Sequence, residues 1–528
     1  MATDNKYDRQ LRLWGSSGQK SLMEANILLV NASASGTETL KNLVLPGVGR
    51  FTILDGEDVK PEDQGSNFFV GPGHVGRSKA QVTMELLCEM NPDVTGDYIR
   101  EDANSQMNKD PGFFSKFSLV IVSQLHESSL RRMAALCWQH SVPFLVVRTY
   151  GLLGHVRLAL RGHCVVESKP EGNKPDLRIS QPWPELLEYC QSIDFDKQDD
   201  MFHAHTPWIV IVVRKMKEWK DAHGGAMPDM KRRAEFQQSI KQGSRDFNKE
   251  LNYQEAYKES YLAYAPAALS GEVQMLLLSP EATKLGPKTT NFWLLVHALG
   301  EFVKTEGGGF PPLSGEVPDM TSDTDSFIKL QGLYKAKAAK DMATMAALVD
   351  DALVAVGRPR GSVPREETEI FCKNARKLLT ITTRSLEEEY SLETCAKDEI
   401  SCELGDPFEV PEQTPLVWYL ALRAADIFKT QNGRYPGEED DQVAPDAKSL
   451  WKIMTDLTNE MGLETELLSE KHAQEIARYG ACELHNIASV VGGIASQEAV
   501  KTVTHQYTPV NNTIIFNGLA AVIGRYEL

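Results

Sequence analysis

ANILLVNASASGTETLKNLVL, residues 25–45, is the stretch that sets the fold. Ala25–Val30 is an apolar run of the kind found in strands buried on both faces. Asn31 to Gly36 (NASASG) is a turn of small residues. Thr37–Leu45 then takes helical spacing, with Leu40, Leu43 and Val44 on one face. The same alternation continues outward. Arg50–Leu54 (RFTIL) reads as a second strand, ending at Asp55-Gly56, and Lys79–Glu89 as a second helix. Phe117–Val122 (FSLVIV) and Pro143–Val147 (PFLVV) read as further buried strands, with Ser129–Gln139 as a helix between them. Strands alternating with helices predict an α/β, Rossmann-like layout: a parallel sheet with helices on both faces.

A nucleotide held at such a strand–turn–helix needs G-x-G-x-x-G, because glycines let backbone N–H groups and the helix N-terminus reach the phosphates. Here only Gly36 remains of that pattern, and Asn31, Ala32, Ser33, Ala34 and Ser35 carry side chains. Each Cβ takes space a phosphate would use, so the turn reads as a structural βα connection. A dinucleotide oxidoreductase fits least, since two of its three glycines are missing.

From about residue 165 to 470 the pattern becomes mostly helical. Thr206-Pro207 opens a helix with Trp208, Ile211, Val212 and Trp219 on one face, and both tryptophans read as core. Further helices are predicted at 229–243, 250–263, 289–305, 324–355, 364–377, 414–430 and 446–461, with loops at 307–319 and 432–446. The last stretch returns to the α/β pattern of the first. IASVVGGIASQEAVK is a small-residue helix whose Gly492-Gly493 pair admits a neighbouring backbone, and VNNTIIF (510–516) is a strand. The predicted division is therefore 1–163 and 471–528 for one interrupted α/β domain, with 164–470 as a helical insertion.

Composition narrows the function classes. At roughly 100–200 residues per domain, 528 residues make about three folding units. Apolar residues at 42% and charged residues at 24% exclude a disordered chain. Lys and Arg number 56 against 73 Asp and Glu, a formal charge of −17, which argues against nucleic acid as a partner. The eight cysteines form no Cys-x-x-Cys pair, so they read as reduced thiols of a cytosolic or nuclear protein, with no metal site. MATDNKYDRQLRLWG lacks the apolar core of a signal peptide, and Ile209–Val213, the longest aliphatic run, falls far short of the ~20 residues that span a bilayer. His203 and His205 have no nearby third ligand and read as ordinary loop residues.

Several ordered motifs at both ends resemble the ubiquitin-like-modifier activating enzymes. Lys6-Tyr7-Asp8-Arg9-Gln10-Leu11-Arg12-Leu13-Trp14-Gly15 resembles their opening segment. Glu38–Leu43 with Leu45-Pro46-Gly47-Val48-Gly49 is similar to their first helix and turn, and Val75–Ala80 (VGRSKA) to their I-G-x-x-K-A. SVVGGIASQEAVK and the Pro-Val-Asn-Asn segment resemble their last helix and strand. The resemblance is strong over about 1–160 and 470–528. It implies a ThiF/MoeB-like adenylation fold, in which a modifier's C-terminal carboxylate attacks ATP and the acyl group then passes to a cysteine.

At the positions that carry this chemistry, the chain departs from the family. The glycine motif is lost, leaving Asn31, Ser33 and Gly36. D-x-D becomes Asp55-Gly56-Glu57. In N-x-x-R-Q-F the Asn and the catalytic Arg are replaced by Asp63 and Ser66, and a carboxylate there would repel phosphates. The metal-holding Asp of G-L-D corresponds to His126, and neutral imidazole is a poor Mg²⁺ ligand. Lys79 survives. No cysteine is followed by Thr, as the family's thioester cysteine often is. The chain thus resembles the inactive half of a two-chain activating enzyme, a pseudo-adenylation domain with a cysteine-like domain lacking its cysteine. Its length, NASASGTE and long insertion fit the neddylation branch best.

The resemblance implies a catalytic partner chain in an obligate heterodimer, a ubiquitin-like modifier, and ATP and Mg bound by the partner with no cofactor on this chain. It implies one retained contribution, Arg9 offered in trans to the partner's ATP, with Arg12 structural. In the insertion, Phe327, Ile328, Leu330, Leu333, Tyr334, Lys337 and Lys340 form an apolar stripe edged by lysines, read as a partner-contact helix. Two rivals stand: an autonomous adenylating enzyme resting on Lys79 and Asp55, and an adaptor that binds proteins only.

Overall fold

The computed structural model describes residues 6–170, 174–264, 269–405, 413–463 and 466–528. The chain divides into two compact units, residues 1–165 with 380–528, and residues 166–379.

The first unit is built on an eight-stranded sheet. Its strands are β1 (Asn26–Val30), β2 (Arg50–Leu54), β3 (Thr95–Ile99), β4 (Leu119–Ser123), β5 (Phe144–Tyr150), β6 (Leu153–Ala159), β7 (Thr513–Asn517) and β8 (Val522–Tyr526), in the order β8-β7-β6-β5-β4-β1-β2-β3. From β3 to β5 neighbouring strands run parallel, with Leu28 beside Thr52 on one side and Val120 on the other. From β5 to β8 they are antiparallel. The sheet is therefore mixed, where the sequence predicted a parallel one: the Gly151-Leu152 turn reverses the chain straight into β6, with no crossover helix.

Seven helices of this unit matter for the site: α1 (Asp8–Glu24), α2 (Ala34–Val44), α3 (Lys79–Met90), α4 (Glu127–Gln139), α5 (Pro415–Asn432), α6 (Val443–Met461) and α7 (His485–Thr504). Strand periodicity sorts the core. Ile27 and Leu29 pack with Leu40 and Leu43 of α2 and Val491 and Ala495 of α7. Leu28 and Val30 point the other way, against Leu130 and Met133 of α4. The approach of α7 to α2 requires one glycine. A Cβ on Gly492 would lie 2.8 Å from the Glu38 Cβ and 3.0 Å from the Thr39 N, whereas one on Gly493 would meet nothing within 4 Å. The predicted pair thus serves through its first member alone.

The division of the chain differs from the predicted 164–470 insertion, because residues 380–470 belong to the first unit. The decisive element is α5. Leu416–Leu422, Ala424 and Ala425 are buried in one cluster with Leu153 of β6, Ile515 of β7 and Tyr526 of β8. A helix that is apolar on most of its circumference is a core element. Beneath it, Arg157 of β6 forms a 2.6 Å ion pair with Glu389, which also accepts a 2.8 Å hydrogen bond from the Tyr419 hydroxyl. Burial works to raise the Glu389 carboxyl, but Arg157, His155 and Tyr419 outweigh it and hold it below the usual range.

The second unit is mainly helical. Trp208 and Trp219 lie in its core with Phe236, Tyr253, Leu330 and Tyr334, as predicted.

Candidate functional site

The candidate site lies where β1, β2 and β4 end, the edge at which α/β sheets take ligands. Asn31 leaves β1 in the left-handed region (φ 63°), a conformation Asn tolerates, and its Nδ2 donates to the Ser123 carbonyl at 3.0 Å. The Ala32 N–H donates to Asp55 at 2.8 Å. Ser33 caps α2, its Oγ accepting from the Gly36 N–H at 3.2 Å, and it also hydrogen-bonds Ser123 Oγ. Gly36 is held to glycine, since a Cβ there would come within 2.8 Å of the Ser123 Cβ.

The N-terminal end of α2 is taken by Glu483, a residue that sequence reasoning missed. Its carboxylate accepts from the Ala34 N–H at 2.8 Å, the Ser35 N–H at 3.1 Å, Ser35 Oγ at 2.7 Å and Thr149 Oγ1 at 2.6 Å. Ser33 Oγ lies 3.5 Å away.

Lys79 is likewise committed. Only 9% of its side chain is exposed, and its Nζ lies 3.2 Å from Asp63 and 3.3 Å from Glu57. Burial works to lower the ammonium, but Asp55, Asp63 and Glu57 together raise it. The substituted Asp63 thus acts by engaging the surviving lysine. Asp55 is pushed up by burial, against the N–H groups of Glu57 and Ala32 and the charge of Lys79. Ser66 closes the single helical turn Asp63–Ser66 and is half-buried. Lys79 and Asp55, on which an autonomous adenylating site would rest, therefore serve internal partners.

His126 caps α4. Its Nδ1 lies 2.9 Å from Ser128 Oγ and its Nε2 lies 3.2 Å from Thr430 Oγ1 on α5. Nearby, Arg148 pairs with Asp426 of α5 at 2.7 Å. Both ring nitrogens of His126 are engaged, and no group of three His, Cys, Asp or Glu placed to hold a metal occurs among the described residues. The residues present at the phosphate and metal positions do not fit Mg·ATP.

Arg9 lies elsewhere. The first turns of α1 are separated from the rest by a kink at Gly15 (φ 70°, ψ −178°). Lys6 pairs with Asp93 at 2.9 Å, the Tyr7 hydroxyl donates to Asp93 at 3.0 Å, and Gln506 donates to the Trp14 carbonyl at 2.9 Å. Between these anchors Arg9 is exposed and forms no ion pair among the described residues. Arg12 pairs with Asp8 at 2.9 Å within α1.

In the second unit, the helix Thr324–Ala355 corrects part of the predicted contact face. Leu330 and Tyr334 are fully buried, and the Tyr334 hydroxyl donates to the Leu177 carbonyl at 2.6 Å, so both are core residues. Phe327 and Leu333 are half-buried, and Lys337 pairs with Asp341. Ile328, 61% exposed, and Lys340 face solvent. His203 is not a loop residue as predicted: it lies on the short helix Asp200–Ala204, buried, and pairs with Glu250 at 2.7 Å. Cys190 and Cys372 are the two cysteines of this unit, and burial pushes both thiols up to about 12, the opposite of a thioester nucleophile.

The profile of the ThiF family matches residues 7–524. The chain belongs to the ThiF family. It is 43% identical to the NEDD8-activating enzyme E1 regulatory subunit of Xenopus laevis, over 99% of this chain and 98% of that one. It is 40% identical to that of Danio rerio, with the same coverage. With the regulatory subunit AXR1 of Arabidopsis thaliana it shares 38% identity over 97% of this chain and 94% of that one. Within the ThiF family it groups with the regulatory subunits of NEDD8-activating enzymes. The E. coli MccB structure with AMPCPP and MccA shares 15% identity over 32% of this chain and 53% of that chain, with a TM-score of 0.28, too slight a likeness to inform the site. No helix among the described residues is long and apolar enough to cross a membrane.

Proposed function

We propose that this chain works as the non-catalytic half of a heterodimeric NEDD8-activating enzyme. A catalytic partner binds ATP and Mg, adenylates the modifier and forms the thioester, and this chain supplies Arg9 in trans. Assembly is obligate, in the cytosol or nucleus. The observation that carries the reading is the state of the site: the N–H groups that would hold a phosphate are taken by Glu483, and Lys79 by Asp63 and Glu57. Arg9 supports the trans role by its placement, exposed on a segment pinned on both sides.

The test is modifier-dependent ATP–pyrophosphate exchange. The purified chain shows none, and exchange appears when the catalytic subunit is added. In the assembled enzyme, Arg9→Ala slows exchange by roughly 10- to 100-fold, the loss of one or two charge-assisted hydrogen bonds in the transition state, while the subunits still co-elute. Exchange by the chain alone, or normal rates with Arg9→Ala, overturns the corresponding part.

A further inference from the structure

We propose that Glu483 is a built-in substitute for a nucleotide phosphate, and that this internal carboxylate, more than the missing glycines, closes the site. A helix N-terminus offers unpaired N–H groups and a partial positive charge, which favour an anion. On α2 the first three helical N–H groups have acceptors outside the helical ladder: Ala34 and Ser35 donate to Glu483, and Gly36 donates to Ser33 Oγ. The ladder itself begins with the Thr37 N–H, which donates to the Ser33 carbonyl at 2.9 Å. Two hydroxyls complete the cradle, Ser35 Oγ on α2 and Thr149 Oγ1 near the end of β5. Backbone amides, a helix end and hydroxyls converging on two anionic oxygens make a phosphate-type set, and the group they hold is a carboxylate of the same chain.

The carboxylate is delivered by a fixed segment. The Gly151 N–H donates to the Cys482 carbonyl at 2.8 Å, Gly151 and Glu483 form an isolated parallel bridge, and α7 starts two residues later. Residue 483 is thus tied to the β5–β6 turn, and its side chain reaches α2 from there. Mg·ATP would have to displace this carboxylate and leave it uncompensated.

This inference rests on the reading that the chain holds no nucleotide, and its test needs neither the partner nor the modifier. Thermal unfolding of the full chain is followed with and without about 10 mM inorganic phosphate, at matched ionic strength. Glu483→Ala strands two amides and the Thr149 hydroxyl, so its Tm falls by about 3 °C or more. Phosphate then raises the Tm of the variant by at least about 2 °C beyond any rise in the parent chain, because it enters the vacated cradle. A folded Glu483→Ala chain that responds to phosphate no more than the parent overturns the proposal. Glu483→Ser is the second variant: like Ala it withdraws the carboxylate and empties the cradle, but it keeps a polar side chain on the segment. If Glu483→Ala does not fold, an equal response of Glu483→Ser and the parent overturns the proposal in the same way. Failure here leaves the exchange experiment intact, and failure of that experiment leaves the phosphate response intact.

Discussion

Gly492 and Gly493 are neighbours on α7 with opposite tolerances. A methyl group on Gly492 would press on the Glu38 Cβ and the Thr39 backbone. Gly492→Ala is expected to cost about 1–3 kcal/mol. Gly493→Ala meets nothing within 4 Å and gains helix propensity, up to about 1 kcal/mol. Denaturant midpoints of the two variants should move in opposite directions. Charge gives a second prediction at this scale. Burial, opposed by Glu389, drives the His155 imidazole down to about 4. Unfolded histidine takes up its proton near pH ~6.5. Between those values the unfolded state binds more protons, so stability falls as pH drops from ~6.5 towards ~4. Burial drives His163 down to about 3, which adds a contribution of the same sign. His155→Gln should flatten the dependence of Tm on pH across this window, and an unchanged slope would contradict the assignment. Single residues were unevenly legible in the sequence. The loss of the glycine motif could be read directly. Glu483 could not, because its partners are backbone amides and hydroxyls more than 330 positions away, and nothing local to ACELHN marks an acceptor for a helix end.

Elements were legible where one pattern held throughout. β1, β4 and the first half of β5 (Phe144–Val147) are buried on both faces and read as nearly unbroken apolar runs, whereas Arg148 and Thr149 break the second half of β5. β6 (LGHVRLA) is just as buried, but His155 and Arg157 interrupt its apolar character, and only the partners Tyr419 and Glu389 explain them. β3 (TGDYI) is an edge strand with little burial and gives almost no signal. The helix Thr324–Ala355 has the predicted bounds, but its apolar stripe is divided between core and solvent, and residue type alone does not reveal the division. Substitution separates the two. Leu330→Ala, in the core, should cost about 2–5 kcal/mol. Ile328→Ala should leave stability within about 0.5 kcal/mol, as exposed positions do. If Ile328→Ala destabilises the isolated chain as much as Leu330→Ala, the assignment of faces is wrong.

The whole molecule is where sequence reading erred most, because helical periodicity identifies a helix without saying which body it packs against. α5 was predicted correctly as a helix and assigned to the wrong unit, since its neighbours β7 and β8 lie almost a hundred residues further along. Each unit has ends that meet. In the second, Ser168 Oγ donates to the Lys377 carbonyl at 3.0 Å; in the first, the Thr383 N–H donates to the Leu160 carbonyl at 2.9 Å. A fragment of residues 166–379 should therefore unfold cooperatively by itself, and residues 1–165 joined to 380–528 by a short flexible linker should keep the sheet. Circular dichroism melts of both polypeptides check this, and a fragment without a cooperative transition would show that the division does not mark independent folding.

The closely spaced ends at Leu160 and Thr383 leave the sheet largely indifferent to the size of what is spliced between them. The entropy of closing an intervening excursion grows only with the logarithm of its length, about 0.6 kcal/mol for each doubling. Descendants of such a chain can lengthen, trim or rebuild the spliced module at little thermodynamic penalty, while the strands on either side of the seam stay in register.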